Sequence, residues 1–119
     1  MAKVVDIYAL PVPRRKLAAY IRISRAAGRI FRKHGVTDYR EFTAPQPGMK
    51  GTRPFTGGIR LKPGEVLVTA IVGYPSAAAR KRINAAIEKD PKLAALASDS
   101  RAFDMKRMTV SSFETIVDV

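Results

Sequence analysis

The side chains best suited to carry a reaction are few: Asp6, His34, Tyr74, Asp104, Lys106 and Arg107. Asp6 falls in the first apolar run, while Asp104, Lys106 and Arg107 lead into the last one. If those runs are neighbouring strands, a carboxylate and two cations meet at one end of a sheet. Such a group could orient a small anionic or carbonyl ligand. The plainer reading is an ion pair that ties the last strand to the first. His34 is the only histidine. It could serve as a general base or as an axial haem ligand. Equally, it could sit in the last turn of a helix before Gly35, where the negative helix end favours a cation. One histidine cannot build a multi-histidine metal site, and the absence of cysteine removes disulfides, thiolate nucleophiles and thiolate-bound metals. No motif demands a metal or a cofactor, and none is expected.

A second constellation is electrostatic. Between Asp6 and Asp38 the chain has eight Lys or Arg and no acid. Arg14, Arg15, Lys16, Arg22, Arg25, Arg29 and Arg32 form a basic stripe suited to a phosphate backbone, RNA above all. Three of these cations stand at the positive end of the helix they begin, an unfavourable place that invites an anion. Against nucleic acid, Tyr20 and Phe31 share the apolar face of that helix, so no aromatic is left among the cations for base stacking. A solvated helix face is the ordinary meaning of such a stripe. The segment Gly48-Met49-Lys50-Gly51-Thr52-Arg53, followed by Gly57-Gly58, lacks the spacing of a phosphate-binding loop and reads as a mobile loop or lid.

The elements that position these residues follow from periodicity. Val4 to Leu10 alternates as a strand, with Val5, Ile7 and Ala9 on one face and Val4, Tyr8 and Leu10 on the other. Pro11 and Pro13 are expected to stop it. From Arg14 to His34 the period becomes helical, with Leu17, Tyr20, Ile23, Ala27, Ile30 and Phe31 on one side. Gly35 ends that helix. A short strand is expected at Thr37 to Thr43, then a loop from Ala44 to Gly58. Ile59 to Leu61 and Val66 to Tyr74 look like a hairpin closed on Lys62-Pro63-Gly64-Glu65. Ser76 caps a second helix at Ala77 to Lys89, which Asp90-Pro91 breaks. Lys92 to Asp104 is a partly helical connection, and Lys106 to Val117 a last strand. The order β-α-β-β-α-β describes an α+β ferredoxin-like sandwich forming a single domain over residues 1–119.

In that topology the first and third strands lie at the centre of the sheet and both helices on one side of it. These two strands are apolar on both faces. Something must therefore cover the helix-free face, and a second copy of the sheet is the simplest cover. Residues 92–104 folded beneath the sheet are the rival. The net charge of +12 attracts polyanions and anionic substrates. No apolar run reaches the ~18 residues of a membrane span. The opening Met1-Ala2-Lys3-Val4-Val5-Asp6 has no export pattern, so a cytoplasmic protein with no membrane partner is expected.

Several motifs carry a resemblance: Leu10-Pro11-Val12-Pro13, Ala19-Tyr20, Lys33-His34-Gly35, Glu41, Pro75-Ser76 with Arg80, Asp90-Pro91, and Phe103-Asp104-Met105-Lys106-Arg107-Met108 followed by Phe113. With these the chain resembles the YbaA-like bacterial family of domains of unknown function, related in fold to the dimeric α+β barrels. The likeness spans about residues 3 to 118. Departures are Met105 and Ser111-Ser112 where the family tends to have glycines, Thr69-Ala70-Ile71 for its Ser-Trp-Ile, and Phe42 to Gln46 for its Cys- and Asp-containing stretch. The resemblance implies the fold and no activity; the homodimer is expected from the doubly apolar sheet. The first expectation is thus a small-molecule-binding or cofactor-free enzymatic site in the cleft between sheet and helices. The alternatives are an RNA-binding basic protein and a structural or stress protein with a protein partner.

Overall fold

The computed structural model describes residues 2–46, 48–99 and 102–119. Met1 of the opening, Pro47 of the long loop, and Ser100 and Arg101 of the connection lie outside them. Strand β1 (Val4–Pro13) leads through a short 3-10 turn into helix α1 (Leu17–Lys33), then β2 (Asp38–Thr43), β3 (Glu65–Tyr74), α2 (Ala77–Glu88), α3 (Pro91–Asp99) and β4 (Thr109–Glu114). The four strands form one antiparallel sheet in the order β2-β3-β1-β4, with β1 and β3 at its centre as expected.

The prolines do not stop β1. Pro11 and Pro13 stay in register with Leu67 and Glu65 of β3. On the other side β4 pairs only as far as Ala9–Thr109, so beyond Ala9 that edge of β1 has no strand and needs no N–H donors. Helix α1 ends as Gly35 predicts. Gly35 takes φ +111°, and the Gly35 and Val36 N–H groups donate to the Arg32 and Phe31 carbonyls, closing the helix with a Schellman motif. Ser76 caps α2 by accepting from the Ala79 N–H at 3.0 Å. Asp90 accepts from the Lys92 N–H at 2.9 Å, so Asp90-Pro91 both ends α2 and starts α3.

Two further sequence expectations need correction. Residues 59–61 form no strand, because both edges of β3 are already taken by β1 and β2. Only the turn survives, closed by the Glu65 N–H on the Lys62 carbonyl. The final strand is shorter than expected, because residues 105–107 make a 3-10 turn before it.

All three helices cover the same face. Ala79, Ile83 and Ile87 of α2 pack with Val4, Val72 and Tyr74, and Leu93 of α3 joins that cluster. Leu10, Val12, Tyr20, Val68 and Ala102 form a second cluster under α1. Among the described residues, 92–99 and 102–104 therefore belong to the helix layer and do not cover the far face. With a thinnest dimension of 20 Å, the molecule has room for one sheet and one helix layer. Ile7, Phe42 and Phe113 stand 40%, 45% and 51% exposed on the uncovered side.

Helix α1 approaches β2 closely at Gly28. A Cβ there would lie 2.7 Å from the Tyr39 ring, which itself packs edge-on against Phe31 with centroids 5.4 Å apart. Gly28→Ala is expected to lower stability by about 1–2 kcal/mol. Overpacking costs about 1–3 kcal/mol, and alanine's better helix propensity returns up to about 1 kcal/mol. Urea unfolding of the two proteins checks this, and an unchanged midpoint would show that the ring gives way freely.

Candidate functional site

Alternation along β2 sets Tyr39, Glu41 and Thr43 toward the helices and Arg40 and Phe42 toward the open face, in register with Val72, Ala70, Val68, Ile71 and Thr69 of β3. A carboxylate on the covered face needs partners, and two phenols supply them. Tyr20 of α1 donates to Glu41 Oε1 at 2.5 Å, and Tyr39 donates to Oε2 at 2.9 Å. Burial first, and the neighbouring Glu41 carboxylate second, push the acidity of both phenols well below that of a free tyrosine. Both remain protonated donors at neutral pH.

This Tyr–Glu–Tyr group stands between two cavities beneath α1. The outer one has a volume of about 590 Å³ and is walled by Leu17, Ile21, Gly28 and Val68, with Arg25, Arg29 and Arg32 along the helix side. The inner one, about 250 Å³, is lined by Leu10, Ile23, Phe31, Leu96 and Phe103 among others. Tyr20, Ser24, Tyr39 and Glu41 border both. Tyr8 projects into the inner cavity, and its hydroxyl makes no hydrogen bond among the described residues. Burial, with a further contribution from Asp6, keeps Tyr8 protonated. The arrangement can bind: it offers apolar walls, an anchored carboxylate, an unengaged phenol and a cationic rim.

The structure distributes the six residues singled out from the sequence over three places, and none borders either cavity. Asp6, only 2% exposed, accepts two hydrogen bonds from Arg80 of α2 at 2.8 and 3.1 Å. Tyr74 lies under the same guanidinium, 5.8 Å from its ring centre, and donates to Asn84 Oδ1 at 2.9 Å. His34 meets Asp90 at 2.6 Å, pinning the end of α1 to the α2–α3 junction. Asp104 accepts from the Lys106 N–H and caps the last 3-10 turn. Arg107 donates to both oxygens of Glu65 and to the Arg60 carbonyl. Strands β1 and β4 do adjoin, yet Asp6 faces Ser112, three pairs along from the Ala9–Thr109 pair where β4 begins. Among the described residues no three His, Asp or Glu side chains gather as a metal site would need.

Of the basic stripe, Arg14, Arg15 and Lys16 form the 3-10 turn before α1, and Arg22 is exposed. Arg25, Arg29 and Arg32 flank the outer cavity, where Arg32 also donates to the Thr37 carbonyl at 2.8 Å. The Glu41 group escaped the sequence reading of chemistry. Its signal was an acid at an inward position of β2, beside a tyrosine two residues earlier on the same face.

Arg107 lowers the Glu65 carboxyl to a pKa of about 2, chiefly through its direct hydrogen bonds. Since the free group titrates at 4.5, the pair's stabilisation is complete above that pH and is lost as pH falls toward about 2. Urea unfolding across this window should show the stability gap between the wild type and Arg107→Met shrinking as acid is added. A gap that stays constant would mean that Arg107 acts by packing alone.

Comparison with known proteins adds lineage to this geometry. The uncharacterised protein YbaA of Escherichia coli strain K12 is 28% identical over 116 residues, covering 98% of each chain. Among solved structures, a dimeric ferredoxin-like protein from an uncultured marine organism matches with TM-score 0.60 at 13% identity, covering 100% of both chains. SnoaB, a cofactor-independent oxygenase from Streptomyces nogalater, matches with TM-score 0.51 at 13% identity, covering 98% of this chain and 95% of its own. These two likenesses bear out the ferredoxin-like α+β fold. The family model described as "Protein of unknown function (DUF1428)" matches residues 3–105, and the chain belongs to that family.

Proposed function

We propose that this protein is a homodimer that binds a small molecule in the cleft between α1 and the sheet of each chain. One observation carries the binding reading. Glu41 has both carboxylate oxygens held by phenols at the common wall of two cavities, one of about 590 Å³, where apolar side chains supply most of the surface. Pockets of this size and character are the usual form of small-molecule sites. A fixed carboxylate can accept a hydrogen bond from a ligand hydroxyl or amine. The Tyr8 hydroxyl can donate to a carbonyl or phenolate oxygen. One solved relative by fold is a cofactor-independent oxygenase, which supports by analogy a small-molecule role for this fold.

The probe for this reading is phenylnaphthylamine, a neutral aromatic whose fluorescence rises in apolar surroundings. It is expected to bind saturably, one molecule per chain. Ser24→Phe, which fills the junction of the two cavities, should abolish that binding. Ile21→Trp, which narrows the outer cavity from a partly exposed position, should weaken it. If the probe fails to bind, or binds equally to both folded variants, the cleft is not a ligand site.

The homodimer reading rests on the helix-free sheet face, where Pro45 and Phe55 of the loop border one end at the buried Leu67, while Ile7 and Phe42 of the same groove and Phe113 further along remain 40–51% exposed. An exposed apolar strip of this kind on a two-layer molecule is the usual mark of an interface. That one solved relative by fold is dimeric supports it further. Sedimentation should give a dimer for the wild type, and Ile7→Glu with Phe113→Glu should give a folded monomer. A wild-type protein that sediments as a stable monomer overturns the assembly.

A further inference from the structure

The cationic side of the outer cavity narrows the ligand class. Arg25 and Arg29 are one helical turn apart on α1, so both guanidinium groups reach the same stretch of the cavity's mouth. Among the described residues neither takes part in an ion pair or a hydrogen bond. Arg32, a turn further on, is anchored on the Thr37 carbonyl. The carboxylate closest in role, Glu41, already has each oxygen occupied by a phenol. Two like charges thus stand side by side at the edge of an apolar recess, and Glu41, the carboxylate that also lines it, is bonded to phenols and pairs with neither. Such a pair is mildly unfavourable until an anion joins it, and then it favours the anion strongly through charge-assisted hydrogen bonds.

We propose that the outer cavity takes an apolar molecule bearing one carboxylate, sulfonate or phosphate, with its anion set between Arg25 and Arg29 and its body against Leu17, Ile21 and Val68. The proposal rests on the cleft being a small-molecule site and adds the ligand's charge and orientation. The net charge of +12 gathers anions toward the surface, and the two arginines select among them at the cavity. A polynucleotide would use the same cations through its phosphates. It would leave the apolar recess below them empty, and of the aromatics bordering the cavity Tyr20 is buried and Tyr39 half-buried, which leaves the single exposed ring of Phe42 on the strand side for stacking.

Two probes of nearly the same skeleton separate the charge from the cleft. Anilinonaphthalene sulfonate is, in effect, phenylnaphthylamine with an added sulfonate. Binding of each is titrated by fluorescence to the wild type and to Arg25→Gln/Arg29→Gln, whose folding is checked by circular dichroism and thermal melting. The sulfonate probe is expected to bind the wild type about tenfold tighter than the neutral one, the gain of one good charge-assisted contact. That advantage should vanish in the double variant and shrink as salt rises from ~50 to ~500 mM. The neutral probe should be indifferent to both changes. If the two probes bind equally, or the double variant keeps the preference, the anion assignment falls while the cleft stands. If neither probe binds, both fall. A single-stranded RNA oligonucleotide that displaces the sulfonate probe at lower concentration than phenyl phosphate does would overturn the small-anion assignment in favour of a nucleic-acid surface.

Discussion

A carboxylate on the covered side of a sheet must be answered from the helix above it, and this fold meets that demand twice. Asp6 on β1 receives both hydrogen bonds of the Arg80 fork, which fixes the start of α2 over the sheet. Glu41 on β2 receives the Tyr20 hydroxyl, which fixes α1 over the other half. The two acids thus pin different helices, and their chemistry differs. The guanidinium of Arg80 balances Asp6 with charge and closes the site around it. Two neutral phenols leave Glu41 hydrogen-bonded and without a cation, beside open space. Removing one member of a buried ion pair leaves a stranded charge, so the first arrangement is a structural commitment. The second keeps a polar centre available where the helix does not seal against the sheet.

Why α1 does not seal follows from its sequence. Its approach to the sheet is set at Gly28, where the Tyr39 ring occupies the space a side chain would need. Toward the edge strand β2 the helix presents Ser24, Arg25 and Arg29 in place of further large apolar residues. Long charged side chains keep their heads in water and cannot fill a core, so a cavity remains where Leu or Phe would have closed it. The excess positive charge, diffuse in composition, becomes local by this route.

Much of the fold was legible because it depends on local rules. The helical period from Leu17 to Phe31, the stop at Gly35 and the cap at Ser76 each rest on residues within one or two turns of each other. So does the alternation that makes β1 and β3 apolar on both faces. The readings that failed depend on distant partners. Residues 59–61 have strand-like composition but no free edge of β3 to join, and Pro11 fits in β1 because β4 begins opposite Ala9 and does not reach it. The same limit hid the site. Tyr20 looks like any aromatic of an apolar stripe until Glu41, 21 residues on, is seen to accept its hydrogen bond. The three acid-base residues that drew attention near the C-terminus, Asp104, Lys106 and Arg107, share a stretch that caps a turn and grips Glu65 across the sheet.

The uncovered face and the cleft are less separate than their positions on opposite sides of the sheet suggest. Phe42 and Thr43, at the end of β2, border both the outer cavity and the groove on the open face. Phe42 is held there by Arg40, whose guanidinium lies 5.7 Å from its ring centre. As an edge strand, β2 has β3 on one side only, so its side chains are the ones freest to respond to a neighbour. A second copy seated on the open face would press on Phe42 from one side while a ligand touched it from the other. Burying that ring at an interface would then fix one wall of the cavity. In this arrangement, pairing of two chains and recognition in the cleft would draw on the same short strand.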